Sequence, residues 1–199
     1  MSDDTPPINL TNHFLIAMPG LQDPLFGHSV IYLCEHSQRG ALGLVINKPC
    51  EIDLKELFDK VELPLTRLDL RHAPVFFGGP MQTERGFVLH EATFTGSEQP
   101  EHPVYASTLV IPGGLEMTTS RDVLEAISSG GGPRKVLISL GYSAWAEGQL
   151  ESELGDNSWL TVAADARLIF ETPVAERYAQ ALKLLGLEPW MLSPDAGHA

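Results

Sequence analysis

Val30-Ile31-Tyr32-Leu33-Cys34-Glu35-His36-Ser37-Gln38-Arg39-Gly40-Ala41-Leu42-Gly43-Leu44-Val45-Ile46-Asn47-Lys48-Pro49 is the stretch on which the fold turns. Two apolar runs flank Glu35-His36-Ser37-Gln38-Arg39-Gly40, and Gly40 supplies a permissive backbone, so the segment predicts a β-hairpin with strands over 29–35 and 41–47. Asp53-Leu54-Lys55-Glu56 follows, with Asp at a cap position and Glu three residues on. Leu54, Leu57, Phe58 and Val61 then recur at helical spacing, which predicts a helix with one apolar face.

The same strand grammar, short apolar runs bounded by Gly or Pro, recurs at 13–17, 74–77, 86–90, 109–111, 135–140 and 159–163. Helices are fewer. Thr119 and Asp122 predict a start for the run holding Val123, Leu124 and Ile127, which Gly130-Gly131-Gly132 terminates. Thr172-Pro173 caps a third helix with Val174, Tyr178, Ala181, Leu182 and Leu185 as its stripe and Gly186 at its end. A short helix is expected over 149–155 after a turn. A strand, a Pro-bearing loop and a capped helix occur twice: from Leu44-Val45-Ile46 to the Asp53 helix, and from Leu109-Val110-Ile111 to the Thr119 helix. This points to an internal duplication. Stretches 62–73 and 91–104 read as loops, and neither shifts composition enough to be a domain linker. The chain of 199 residues is therefore expected to form one domain, with flexible ends at 1–8 and 193–199.

Hydrophobic residues make up 43% and charged residues 20%, which places the chain among globular proteins and not disordered ones. Thirteen Lys and Arg face 26 Asp and Glu, a net charge of −13 that argues against a protein whose task is to wrap nucleic acid. The start, Met1-Ser2-Asp3-Asp4-Thr5-Pro6-Pro7, has no basic region and no apolar run, so no secretory signal is read there. No apolar run approaches a membrane span. Cys34 and Cys50 form neither C-x-x-C nor a disulfide framework, and a cytoplasmic location is the default expectation.

Several segments in order resemble the YqgE/AlgH family of bacterial proteins. They include Leu15-Ile16-Ala17-Met18-Pro19, the hairpin stretch above and Phe77-Gly78-Gly79-Pro80. Gly86-Phe87-Val88-Leu89-His90, Gly141-Tyr142-Ser143-Ala144-Trp145, Gly148-Gln149-Leu150-Glu151 and Asn157-Ser158-Trp159-Leu160 complete the set. Ala144 stands where glycine is usual and Ser158 where alanine is common. The resemblance implies an α+β fold with strongly coiled, mixed or antiparallel sheets, partly barrel-like, flanked by several helices and built on a duplicated motif. It implies no established activity. The AlgH name carries a link to regulation of alginate production and, from it, of gene expression.

The residues themselves allow several chemistries. Cys34 and His36 are two apart on a strand, so they are expected to share a face with Glu35 pointing away. Cys and His ligate zinc, but no second pair at ligand spacing is present, and the plainer reading is a buried thiol and a histidine that holds the hairpin. Lys48 could lower the Cys50 thiol, with Glu51 opposing it. Asn47-Lys48-Pro49 reads either as a binding donor set or as turn closure. Gly130-Gly131-Gly132-Pro133-Arg134-Lys135 lacks P-loop order. Ser143 is no nucleophile elbow, because Trp145 occupies the position that needs glycine. The segment from Gly141 is read as leaving its strand and entering a helix, with Tyr142 and Trp145 as a ligand wall or core. Glu147 and Glu151 are a carboxylate pair four apart.

The binding candidates are therefore Glu35, His36, Asn47, Lys48, Gly78, Gly79, Tyr142, Trp145, Gln149 and Glu151. No catalytic set, cofactor fingerprint or metal set emerges. The first reading is a non-catalytic binding or regulatory protein with a protein or small-molecule partner and no membrane role. The second is a hydrolase or metal-dependent enzyme that draws on Glu35, His36, His90, Glu147 and Glu151. The third, direct DNA binding, would rest on Lys60, Arg67 and Arg71 or on Arg134 and Lys135, against the charge balance.

Overall fold

The computed structural model describes residues 6–92 and 102–192. The outermost expected tail residues and most of the 91–104 loop lie outside the described residues. The strands are β1 (His13–Ala17), β2 (Val30–Ser37), β3 (Gly40–Val45), β4 (Pro49–Asp53), β5 (Pro74–Phe77), β6 (Met81–Glu91), β7 (Thr108–Ile111), β8 (Leu115–Thr118), β9 (Val136–Ala146) and β10 (Trp159–Ala163). The helices are α1 (Leu54–Lys60), α2 (Arg121–Ser128), α3 (Gln149–Gly155), α4 (Ala166–Phe170) and α5 (Arg177–Leu184). The fold is α+β.

The strands form one curled sheet in the order β10-β1-β2-β3-β9-β6-β8-β7, with β4 paired to β5 and β5 to β9. Every pairing is antiparallel except β5 with β9. β9 is the common member: Ser143–Ala146 pair with β3, and Val136–Tyr142 pair with β6. Strands on both sides of it contribute to a shared core inside the curl, from Phe14, Tyr32 and Leu44 to Leu89, Met117 and Leu137, and α4 and α5 close it. Outside, α3 covers Leu15, Leu33, Trp145 and Trp159. On the other half α1 and α2 cover Val75, Val88 and Ile138.

The sequence expectation ends a strand at 140, yet β9 runs on to Ala146. Gly141 has φ +76, a conformation open to glycine, and one residue there reverses the strand's alternation without ending it. Leu137 faces the inner core and Ile138 the outer one; beyond Gly141, Tyr142 faces inward and Trp145 outward. β4, β8 and α4 carry too few residues for a period to show, and none was expected. The capping box on α1 is present in both directions, Asp53 accepting the Glu56 N–H and Glu56 accepting the Asp53 N–H, each at 2.9 Å. Ser120, not Thr119, occupies the cap position of α2, and a single 3₁₀ turn at Val174–Glu176 precedes α5. Strand, strand, helix recurs as β3-β4-α1 and β7-β8-α2, but β4 pairs with β5 whereas β8 bridges β6 and β7.

Candidate functional site

The densest polar group sits at the end of the β2–β3 hairpin. A bulge between Leu33 and Glu35 inserts Cys34 as an extra residue. Cys34 keeps the face of Tyr32 and packs inside the curl, while the extra residue turns His36, opposite Ala41, to the outer layer under α3. The expected shared face of Cys34 and His36 is thus overturned by the bulge. Burial pushes the Cys34 thiol up, which makes it unreactive.

The His36 ring is fully buried. Its Nδ1 accepts the Leu10 backbone N–H at 2.9 Å, and its Nε2 lies 2.7 Å from Glu151 Oε1. A ring nitrogen that accepts an amide proton carries none, so the proton is on Nε2 and is donated to the carboxylate. The Thr11 hydroxyl accepts the His36 N–H at 2.9 Å and donates to the His36 carbonyl at 3.4 Å. The Glu151 carboxyl is held below its ordinary range by its own backbone N–H and by His36. Gln149 Oε1 accepts the Ala146 N–H at 3.0 Å and closes the turn into α3. Glu147 precedes that helix, so it does not share a helical face with Glu151.

Two open grooves border this hairpin. One, of about 210 Å³, lies between Glu35, Arg39 and the rim of Trp145. The other, of about 390 Å³, lies between Pro7, Ile8 and Asn9 and the turn at Gln38 and Arg39. Trp145 is buried in an aromatic group with Phe26 and Trp159, at centroid distances of 6.5 and 6.2 Å. Tyr142 instead packs on Phe87 at 5.2 Å inside the curl. The two do not form one wall, because Gly141 separates their faces.

Asn47, Lys48, Gly78 and Gly79 gather at the far end of β3. Asn47 accepts the Val30 N–H at 2.9 Å and donates to the His28 carbonyl at 2.8 Å, which extends the β2 ladder where β3 ends. Lys48 donates to the Leu25 carbonyl, and burial lowers its pKa. It does not activate Cys50, whose thiol burial pushes up. The Gly78 carbonyl accepts the Val45 N–H and the Ser143 hydroxyl, each at 3.0 Å. A Cβ on Gly78 would strike the Gly141 carbonyl, and one on Gly79 the backbone of Tyr142 and Ser143. These glycines are where β5 and β9 cross at van der Waals contact.

His90 stands elsewhere. It pairs with Val136 at one end of β9, whereas His36 reaches β9 through Ala41 opposite Trp145, nine residues on. At about 3.3 Å per residue, on the order of 30 Å of strand separates their positions along β9. His90 Nε2 contacts the Thr118 hydroxyl at 2.8 Å and Nδ1 the Glu91 carbonyl at 2.8 Å, and burial lowers its pKa. The expected convergence of His90 with Glu35, His36, Glu147 and Glu151 is not found. Among the described residues no three His, Cys, Asp or Glu side chains are placed to hold a metal ion. Arg67 is tied to the carbonyls of Pro133 and Arg134, and Lys135 to Glu171 and Glu91. Among the described residues no helix is long and apolar enough to cross a membrane.

Sequence reasoning missed Leu10 and Thr11, whose partners lie 26 and 25 residues away. It missed Arg177, whose guanidinium is buried over Phe76 and donates to the Ile46 and Thr172 carbonyls. A charged residue inside an otherwise apolar helical stripe was the available signal.

Comparison with known proteins agrees with the architecture. The family model described as AlgH-like matches residues 14–190. A UPF0301 protein of Albidiferax ferrireducens is 76% identical over 191 residues, 96% of each chain. One of Variovorax paradoxus is 70% identical over all 199 residues and the whole of each chain. The solution structure of the AlgH protein from Pseudomonas aeruginosa is 46% identical, covers 100% of both chains and superposes with a TM-score of 0.74. A crystal structure from Corynebacterium diphtheriae, 16% identical over 94% of this chain and 93% of that one, shares the fold with a TM-score of 0.72.

Proposed function

From the premise that this chain belongs to the AlgH-like family, we propose that it is a non-catalytic binding and regulatory protein of the cytoplasm that offers its braced β2–β3 hairpin to a partner. One observation carries this reading. The polar side chains of the motif segments are engaged with backbone groups of the fold: Asn47 with Val30 and His28, Lys48 with Leu25, Gln149 with Ala146 and His36 with Leu10. A nucleophile or a general base needs a free lone pair facing a substrate; His36 Nδ1, Asn47 and Gln149 have committed theirs as acceptors, and Lys48 is held as a donor. What the His36–Glu151 contact supplies is a fixed hairpin, with Glu35 and Arg39 exposed beside a shallow groove that buried Trp145 backs. A rigid platform of that kind lowers the ordering cost of association. Any role in gene expression would then run through a protein or small-ligand contact, since the −13 balance opposes direct DNA binding.

The test is a paired charge reversal, Glu35→Lys with Arg39→Glu, in the full chain. It is expected to release a partner retained by the natural protein while thermal unfolding is unchanged. Hydrolysis of an ester, amide or phosphate substrate by the pure protein, lost in Glu151→Gln with the fold intact, would overturn the proposal.

A further inference from the structure

A further groove, of about 220 Å³, opens on the other half of the molecule, between α1 and α2. Its floor is apolar, with Val88, Ile138 and Leu140 from the sheet, and Leu57 and Leu124 form its walls. Beside it β6 bulges widely. Met81 pairs with Tyr142 and Gly86 with Leu140, so the four residues from Gln82 to Arg85 arch over Gly141 alone. Thr83 in the arch stays close to Gly141, whereas at Gly86 a Cβ would meet nothing within 4 Å. A wide bulge and a bare glycine in a strand mark places where something else approaches the sheet.

The rim carries both signs. Glu84 is exposed and makes no hydrogen bond or ion pair among the described residues. Arg121 spans the mouth, with Nη2 donating to the Val61 carbonyl at 2.9 Å and Nε to Glu125 at 3.3 Å. Its Nη1 makes no hydrogen bond among the described residues, and a guanidinium has donors to spare. The volume exceeds the roughly 150 Å³ that holds a benzene ring and falls short of the roughly 300 Å³ where drug-sized pockets begin. A ligand of this size with an apolar body, a cation for Glu84 and an anion for Arg121 is matched by an apolar α-amino acid, which carries both charges on one carbon.

We propose that the α1–α2 groove binds a free branched-chain or aromatic α-amino acid, its side chain on Val88, Ile138 and Leu140, its ammonium on Glu84 and its carboxylate on Arg121. This site is separate from the hairpin grooves and does not depend on the partner reading given for them.

The experiment titrates the ¹⁵N-labelled full chain with L-leucine and L-phenylalanine, alongside L-serine, 4-methylvalerate and isopentylamine, each to about 10 mM, tenfold above a weak Kd of about 1 mM. Saturable shifts of the Gly86, Val88, Thr119 and Arg121 amides are expected with leucine or phenylalanine and not with serine. Glu84→Gln is expected to weaken leucine about tenfold and to leave 4-methylvalerate unchanged, and Arg121→Gln to leave isopentylamine unchanged while weakening leucine similarly. Gly86→Val fills the floor and is expected to abolish binding at an unchanged unfolding midpoint. Absence of saturable shifts, shifts confined to the β2–β3 hairpin, or equal binding of leucine and 4-methylvalerate would each overturn the proposal.

Discussion

Gly79 shows how little room the crossing of β5 and β9 leaves. Its φ is +153, and an added Cβ would overlap the Tyr142 carbonyl and the Ser143 amide, which are backbone and cannot swing aside. Gly79→Ala is therefore expected to cost about 4 kcal/mol or more, read as a fall in the urea midpoint, whereas Gly86→Ala, with open space around it, is expected to change stability by less than about 1 kcal/mol. From the sequence alone the two glycines look alike: each borders an apolar run. What separates them is the distance to a chain segment some 60 residues later, which no local pattern encodes. The same limit applies to His36. Its place near a hairpin is legible; that Glu151 meets it from 115 residues away is not.

At the scale of elements, local chemistry was readable wherever it is self-contained. α1 carries its own instructions, a reciprocal cap and a four-residue apolar face, and it forms where those residues predict it. Asp53→Ala removes the acceptor for the Glu56 N–H and is expected to destabilise the protein by about 1 kcal/mol, measured by chemical unfolding at neutral pH. Asp53→Asn, which keeps an acceptor, is expected to cost less. β9 was half legible: its first residues are apolar and continuous, but Gly141, Ser143 and Ala144 resemble an exit. The positive φ at Gly141 keeps the ladder going while turning Trp145 outward, and only pairing with β3 reveals it. The Cys34 bulge misled in the same way, because alternation is a reliable guide only while a strand stays unbulged.

At the scale of the whole molecule, acid should act in two stages. Burial depresses the His90 pKa from its ordinary 6.5, so the unfolded chain binds a proton there before the folded one does. Stability is then full above about 6.5 and falls as pH drops toward the folded value, by at most about 1.4 kcal/mol per pH unit. Asp69, Asp122 and Glu151 are also depressed, and their contribution is present above the ordinary carboxylate range and lost as pH falls below it. Urea midpoints recorded from about pH 7.5 to about pH 5 are expected to decline, and His90→Gln is expected to flatten that decline while leaving the carboxylate stage in place. The sharing of β9 between both halves also has a consequence for synthesis. β3 leaves the ribosome about 100 residues ahead of its neighbour, roughly 5–20 s at ordinary translation rates. Throughout that interval the nascent hairpin carries an unpaired margin, so β3 gains its second neighbour only when residues 143–146 emerge, and closure of the sheet falls to the last part of the chain to be made.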